Sequence, residues 1–165
     1  MSNVVNGIDK EKLVEAVENL KRTPENTIRK KKLTAEWVGG YRAKVYSGDT
    51  EVFIGGDKDF GGMSMAQASH LGCMIDVIAT HATLRGIELE KLTIESEGEF
   101  DMGKYLGVPN KPDPGFQNIE CTINIKVKNA STEELEELLN FSKTVSPVGN
   151  TLKSQVPINM KYVFE

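Results

Sequence analysis

The first part of the chain carries a helical hydrophobic pattern. Leu13, Val17 and Leu20 recur at the spacing of one helix face. Asp9 stands immediately before this pattern, where a carboxylate can cap a helix, and the Thr-Pro-Glu-Asn run at 23–26 provides a stop. We therefore predict an amphipathic helix and assign residues 1–26 to an N-terminal helical arm.

Apolar and polar residues then alternate with the period of a β-strand. Leu33, Ala35 and Trp37 alternate with polar residues before a Gly-Gly pair, and Ala43 and Val45 continue the alternation after it. A Ser-Gly-Asp turn at 47–49 leads into a short apolar run at 52–54. The pattern predicts a three-stranded meander.

Residues 63–85 predict a long helix that ends at Gly86, a favourable residue for a helix C-terminus. Before Arg85 its only permanent charge is Asp76, which is typical of a helix that is buried on most sides. On a helical wheel, one stripe is purely apolar, and Cys73 lies almost opposite it. The stripe consists of Leu71, Ile75, Ile78 and Ala82.

The remainder of the chain predicts two long strands, a helix and a closing strand. The long strands cover 92–100 and 117–127, with a Gly- and Pro-rich loop at 103–116 between them. Ser131 and Glu134 form a capping box before a leucine-rich helix, and 156–164 predicts the last strand. The element order indicates an α+β fold with a mainly antiparallel sheet, and we assign residues 27–165 to one domain.

Composition narrows the class of protein. A chain of 165 residues with 39% hydrophobic and 27% charged residues is typical of one globular domain. The formal net charge of -4 argues against a nucleic-acid partner. The N-terminus lacks the basic and apolar regions of a signal peptide, and no apolar run approaches the ~20 residues of a membrane span. We therefore expect a cytoplasmic protein without a membrane partner.

Cys73 is the first candidate for chemistry. His70 lies one turn before it and could support a thiolate, although a packed thiol and a hydrogen-bonded histidine are the structural alternatives. His70 and His81 are separated by eleven residues, about 16 Å along a helix, so they cannot share a metal ion. Cys121 alternates with apolar strand residues, which predicts a core position. No metal, cofactor or disulfide framework is predicted.

Five segments together resemble the OsmC/Ohr family, the osmotically induced and organic-hydroperoxide-resistance proteins. The match runs in order over about 33–165, and the added N-terminal helix is typical of a separate branch. The matching segments are residues 62–79, with the sequence GMSMAQASHLGCMIDVIA, together with 85–92, 97–101, 114–119 and 146–152.

This resemblance implies an OsmC-like fold, in which curved sheets wrap around long central helices in an intertwined homodimer with active sites at the interface. In peroxidase members, a cysteine at the position of Cys73 attacks the peroxide and becomes a sulfenic acid. A second cysteine then resolves it as a disulfide, and an external dithiol completes the cycle. An arginine held by a glutamate stabilises the thiolate.

Two departures from the family pattern fall within the site. Ser146 stands where the resolving cysteine is expected, and a serine before Pro147 also favours a helix start. The family's carboxylate is missing at the helix start, where Ser64 and Gln67 are the polar candidates. Arg42, after the Gly-Gly pair, is the candidate arginine, and His70 and Ser146 complete the possible pocket.

The resemblance leaves three hypotheses open. In the first, the protein is a thiol-dependent peroxidase that reduces organic hydroperoxides through Cys73 alone, with an external thiol as the resolver. In the second, it is a non-catalytic homodimer that binds a small apolar ligand in the interface pocket. In the third, it is a purely structural interaction protein without a pocket beside Cys73.

Overall fold

The computed structural model describes residues 3–154 and 156–163. The chain begins with a short antiparallel hairpin of β1 (Val4–Val5) and β2 (Ile8–Asp9), which was not predicted from the sequence. Asn6 occupies its turn with φ = 54° and is followed by a glycine. The Asn6 side chain donates to the Ile87 carbonyl at 2.9 Å and accepts from the Leu89 amide at 2.8 Å. These bonds attach the N-terminus to the middle of the chain.

The predicted N-terminal helix is α1, Lys10–Arg22. Its cap is Asp9, whose carboxylate accepts from the Lys12 amide at 3.2 Å, as the sequence predicted. A single 3-10 turn, Pro24–Thr27, follows the end of the helix.

The predicted meander is present as β3 (Thr34–Trp37), β4 (Ala43–Ser47) and β5 (Thr50–Ile54), which pair antiparallel in chain order. Gly55, directly after β5, has φ = +84°, and a Cβ there would collide with the Tyr41 carbonyl oxygen. Trp37 and Tyr41 are 77% and 92% exposed. Within the described residues the meander forms a sheet of its own.

The long central helix is α2, Gly62–Arg85, and it ends on Gly86 in the left-handed conformation. Its buried face differs from the predicted stripe. Met74, Ile78 and Ala82 belong to the core, whereas Ile75 is 41% exposed. The prediction that the helix is buried on most sides is therefore wrong for the single chain, because only Met74, Val77, Ile78, Ala82 and Thr83 of α2 are buried.

The core lies between α2 and a two-stranded antiparallel sheet. This sheet consists of β6 (Leu89–Asp101) and β7 (Gly115–Val127), close to the two predicted strands. Next comes α3 (Thr132–Val145), which begins at the predicted Ser131 capping box. A short helix, α4 (Pro147–Lys153), follows it. Leu138 of α3 is fully buried against α2 and the inner face of the sheet.

The predicted closing strand is the main error in the secondary structure. Residues 156–163 form no strand in the described chain, and Phe164 lies outside the described residues. The apolar positions do alternate, but no strand of the described chain lies beside them to complete a ladder. Ile158 and Tyr162 are accordingly 80% and 70% exposed. Across the described ranges, no helix combines the length and the apolar character needed to cross a membrane.

Candidate functional site

Cys73 lies in the middle of α2 and is half-buried. Its Sγ is 3.4 Å from the Oγ of Ser146. Ser146 is 1% exposed and stands at the junction between α3 and α4, where it is the C-cap of the first helix and the N-cap of the second. The helix-start pattern of Ser146 and Pro147 thus directs this hydroxyl towards the cysteine.

The Ser146 hydroxyl has a second partner. It caps α4 by accepting a hydrogen bond from the Gly149 amide at 3.2 Å. A hydroxyl has one hydrogen and two lone pairs, so accepting from Gly149 leaves its hydrogen available for the Cys73 sulfur. A donor of this kind stabilises the anionic form of a thiol.

Gly149 allows these groups to approach closely. A Cβ at this position would lie 3.0 Å from Ser146 Oγ and 3.2 Å from His70 Nε2. Both distances are tighter than ordinary van der Waals contact, so a side chain would displace the serine or the imidazole. The structure therefore brings Cys73, Ser146 and His70 together, with Gly149 between the last two.

His70 is half-buried, and its Nδ1 is completely buried without a hydrogen-bond partner among the described residues. Burial lowers the pKa of His70, and the positive charge of Lys153 lowers it further. The imidazole is therefore neutral at neutral pH and supplies no permanent positive charge to Cys73. Of the described side chains, Ser146 alone forms a hydrogen bond with the sulfur.

Arg42 lies on the meander, away from this group. Its Nε donates to Asp59 Oδ2 at 2.8 Å, and its guanidinium lies 4.0 Å from the centre of the Phe53 ring. The sequence had offered no carboxylate at the helix start, whereas the structure supplies one from the preceding loop. This carboxylate is that of Asp59, and the feature of the sequence that could have indicated it is the Asp57-Lys58-Asp59 run between two Gly-Gly pairs. No bond joins Arg42 to Cys73 in the described chain.

The other predicted pocket residues have different positions. Gln67 donates to the carbonyl and hydroxyl of Ser96 at 3.0 and 2.9 Å, which fastens α2 to β6. Ser64 is exposed in the first turn of α2. Cys121 is exposed, so its predicted core position is wrong, and its Sγ lies 3.5 Å from Ser96 Oγ. Cys121 does share one face of β7 with Ile123, as the alternation predicted, but this face lines a cavity at Cys121.

Two cavities adjoin this region, with volumes of about 300 and 360 Å³. Four residues line both of them: His70, Ile119, Gly149 and Lys153. Cys121 and Ser146 line only the larger one, which lies between the inner face of the β6–β7 sheet and helices α2, α3 and α4. The hydroxyl that contacts Cys73 thus also forms part of a cavity wall.

The fold is α+β, with a cysteine in the middle of its long central helix, and comparison of the sequence with protein-family models identifies the class of protein. The family model described as OsmC-like protein matches residues 55–161, more than half of the chain. The chain therefore belongs to the OsmC-like family. No protein in a search of curated proteins matches the chain.

Solved structures share the fold at low sequence identity. An OsmC-like protein from Mycoplasma pneumoniae is 20% identical with a TM-score of 0.65, and the match covers 76% of this chain and 88% of that one. An organic hydroperoxide resistance protein from Legionella pneumophila is 18% identical with a TM-score of 0.54, covering 77% and 91%. OhrB of Bacillus subtilis, also an organic hydroperoxide resistance protein, is 20% identical with a TM-score of 0.50, covering 74% and 90%. At this identity the similarity establishes the α+β OsmC-like fold.

Proposed function

We propose that the protein reduces organic hydroperoxides through Cys73 as its only reacting thiol, with an external thiol as the resolver. The observation that carries the proposal is the 3.4 Å contact between Cys73 Sγ and the buried Ser146 hydroxyl. A hydroxyl at this position can stabilise a thiolate, but it cannot close a disulfide.

The proposed cycle has two stages. The Cys73 thiolate attacks the outer oxygen of the hydroperoxide, the O–O bond breaks, and the leaving alkoxide takes a proton to become an alcohol. Cys73 is then a sulfenic acid. One external thiol condenses with it to give a mixed disulfide and water, and a second external thiol releases the Cys73 thiol with an external disulfide as product. The predicted cytoplasmic location would supply such thiols.

Arg42 and Asp59 are the proposed electrostatic support. A guanidinium gives fixed positive charge and several donors, and the 2.8 Å bond to Asp59 limits its freedom. Because no hydrogen bond joins Arg42 to Cys73 among the described residues, we propose that a homodimer completes the site with Arg42 of a second copy. The apolar residues exposed on the meander, including Trp37 and Tyr41, support such an interface. Light scattering measures the molar mass of the protein in solution. A monomer at the concentration of the peroxide assay would contradict the proposed homodimer.

The test is anaerobic consumption of cumene hydroperoxide in the presence of excess monothiol. We expect the wild-type protein to consume peroxide catalytically and Cys73→Ser to fall to the rate of the thiol alone. Cys121→Ser is the matched control, because it removes the other thiol of the chain while leaving Cys73 and Ser146 in place. A dimedone adduct on Cys73 in the absence of thiol would identify the sulfenic acid.

The outcomes separate the hypotheses. If Cys73→Ser consumes peroxide as fast as the wild type, the proposed chemistry is wrong. If neither protein exceeds the background while both are folded dimers, the alternative function, a non-catalytic dimer that binds a small apolar ligand, is favoured.

A further inference from the structure

The two cavities that share His70, Ile119, Gly149 and Lys153 are here called the double cavity. The larger one has an apolar wall made by Met74, Ile94, Ile119, Ile123 and Leu139. Among the residues that the structure describes, no aspartate or glutamate lines either cavity, although the chain as a whole carries more acidic than basic residues. The local charge is therefore opposite in sign to that of the whole protein.

Two lysines supply this positive charge. Lys143 of α3 and Lys153 of α4 both line the larger cavity, and Lys153 also lines the smaller one. Both are exposed, and neither forms an ion pair among residues 3–154 and 156–163. The site thus combines an apolar wall with two cationic groups at its edge, an arrangement that suits a molecule with a hydrocarbon body and an anionic end.

His70 adds a half-buried imidazole to the same place, and it lines both cavities. Its Nδ1 has no exposed surface and no hydrogen-bond partner in the described chain, so a ligand in the cavities would meet the rest of the ring. Gly149, where an added Cβ would lie close to both His70 and Ser146, also lines both cavities.

We propose that the double cavity binds a small amphipathic carboxylate, with its hydrocarbon chain against the isoleucine and leucine wall and its carboxylate at Lys143 and Lys153. This binding uses no chemistry of the Cys73 thiol, so it is independent of the proposed peroxide reduction. A ligand in the larger cavity would nevertheless lie against Ser146, the hydroxyl that contacts Cys73.

Cys121 provides a reporter because it is exposed and lines the larger cavity. In the Cys73→Ser protein it is the sole thiol, and its alkylation by iodoacetamide can be followed by mass spectrometry. We expect decanoate, used below its micelle-forming concentration, to slow this alkylation saturably. Decanol, which has the same chain without the charge, should require a concentration about fivefold higher. From hexanoate to decanoate, affinity should rise roughly three- to fourfold for each methylene buried.

A charge-matched pair of variants tests the lysines. Lys143→Met/Lys153→Met should remove the preference for decanoate over decanol, whereas Lys31→Met/Lys32→Met, which lie on neither cavity wall, should retain it. Calorimetric titration with decanoate compares the same two variants by a method that does not depend on alkylation of Cys121. Equal protection by decanoate and decanol in the protein with both cavity lysines would overturn the assignment of the carboxylate. The absence of saturable decanoate binding in both assays would overturn the site, whatever the peroxide assay gives.

Discussion

Replacing Ser146 by cysteine turns the contact at the centre of the site into a measurable bond. The two atoms concerned, Cys73 Sγ and Ser146 Oγ, are 3.4 Å apart, and a disulfide of about 2.05 Å needs only a further approach of roughly 1.3 Å, within reach of small side-chain rotations. We therefore expect Ser146→Cys, made in a Cys121→Ser protein, to form an intrachain disulfide after one equivalent of cumene hydroperoxide.

The expected stabilisation follows from the separation of the two positions. They are 73 residues apart in sequence, and closing a loop of that size in the unfolded chain is worth about 4 kcal/mol at 25 °C. The reduced variant should be less stable than wild type by ~1 kcal/mol, because a thiol is a weaker helix cap than the Ser146 hydroxyl. Oxidation should therefore raise the free energy of unfolding well above that of the reduced form.

Intact-chain mass spectrometry measures the loss of two hydrogens, and urea unfolding with and without dithiothreitol measures the stabilisation. Thr144→Cys is the control, since Thr144 is exposed near the end of α3 and its hydroxyl donates to the Phe141 carbonyl. If Ser146→Cys were instead over-oxidised to a sulfinic acid, or formed only disulfides between chains, the geometry of the site would be refuted.

Three further predictions concern neighbouring groups. Gly149→Ala should lower the free energy of unfolding by about 1 kcal/mol. The added methyl group overpacks the site at a cost of roughly 1–3 kcal/mol, which outweighs the gain of about 1 kcal/mol from the higher helix propensity of alanine. In urea unfolding, Gly72→Ala, which meets no atom within 4 Å, should gain stability instead. Asp59→Asn should slow peroxide consumption several-fold while changing stability by less than about 1 kcal/mol, because its pair with Arg42 is partly exposed; unchanged kinetics would exclude a role for this pair. Burial lowers the pKa of both His70 and His81 below the usual 6.5, so the unfolded state binds more protons as pH falls through that range. Urea unfolding should show lower stability near pH 5.5 than near pH 7, and His70→Gln/His81→Gln should reduce that difference.

Local signals in the sequence predicted local structure well. Asp9, Gly86 and the Ser131 capping box each mark a helix end that the structure contains. These signals work because a cap satisfies backbone groups within one turn of itself, independently of the rest of the fold. The meander and the two long strands were predictable for a similar reason, since alternation and glycine turns act over a few residues.

Errors occurred where a residue's environment depends on distant parts of the chain. Ile75 and Cys121 lie on faces whose patterns predict burial, yet both are exposed, because nothing in the described chain covers them. The strand predicted at 156–164 fails in the same way: its pattern is that of a strand, but a strand also needs a neighbour. Asp59 was missed for a related reason, because its ion pair with Arg42 connects positions 17 residues apart.

Ser146 combines a structural task with a place in the proposed site. The residue has two tasks: it caps α4 through Gly149, and it presents a polar atom to Cys73. Serine is among the best residues for capping, so the hydroxyl is favoured by helix stability alone. Forming a disulfide, in contrast, needs a second sulfur atom, so the proposed cycle assigns the resolving step to an external thiol. One oxygen atom thus meets both tasks, so a substitution at Ser146 is expected to disturb the start of α4 and the proposed site together.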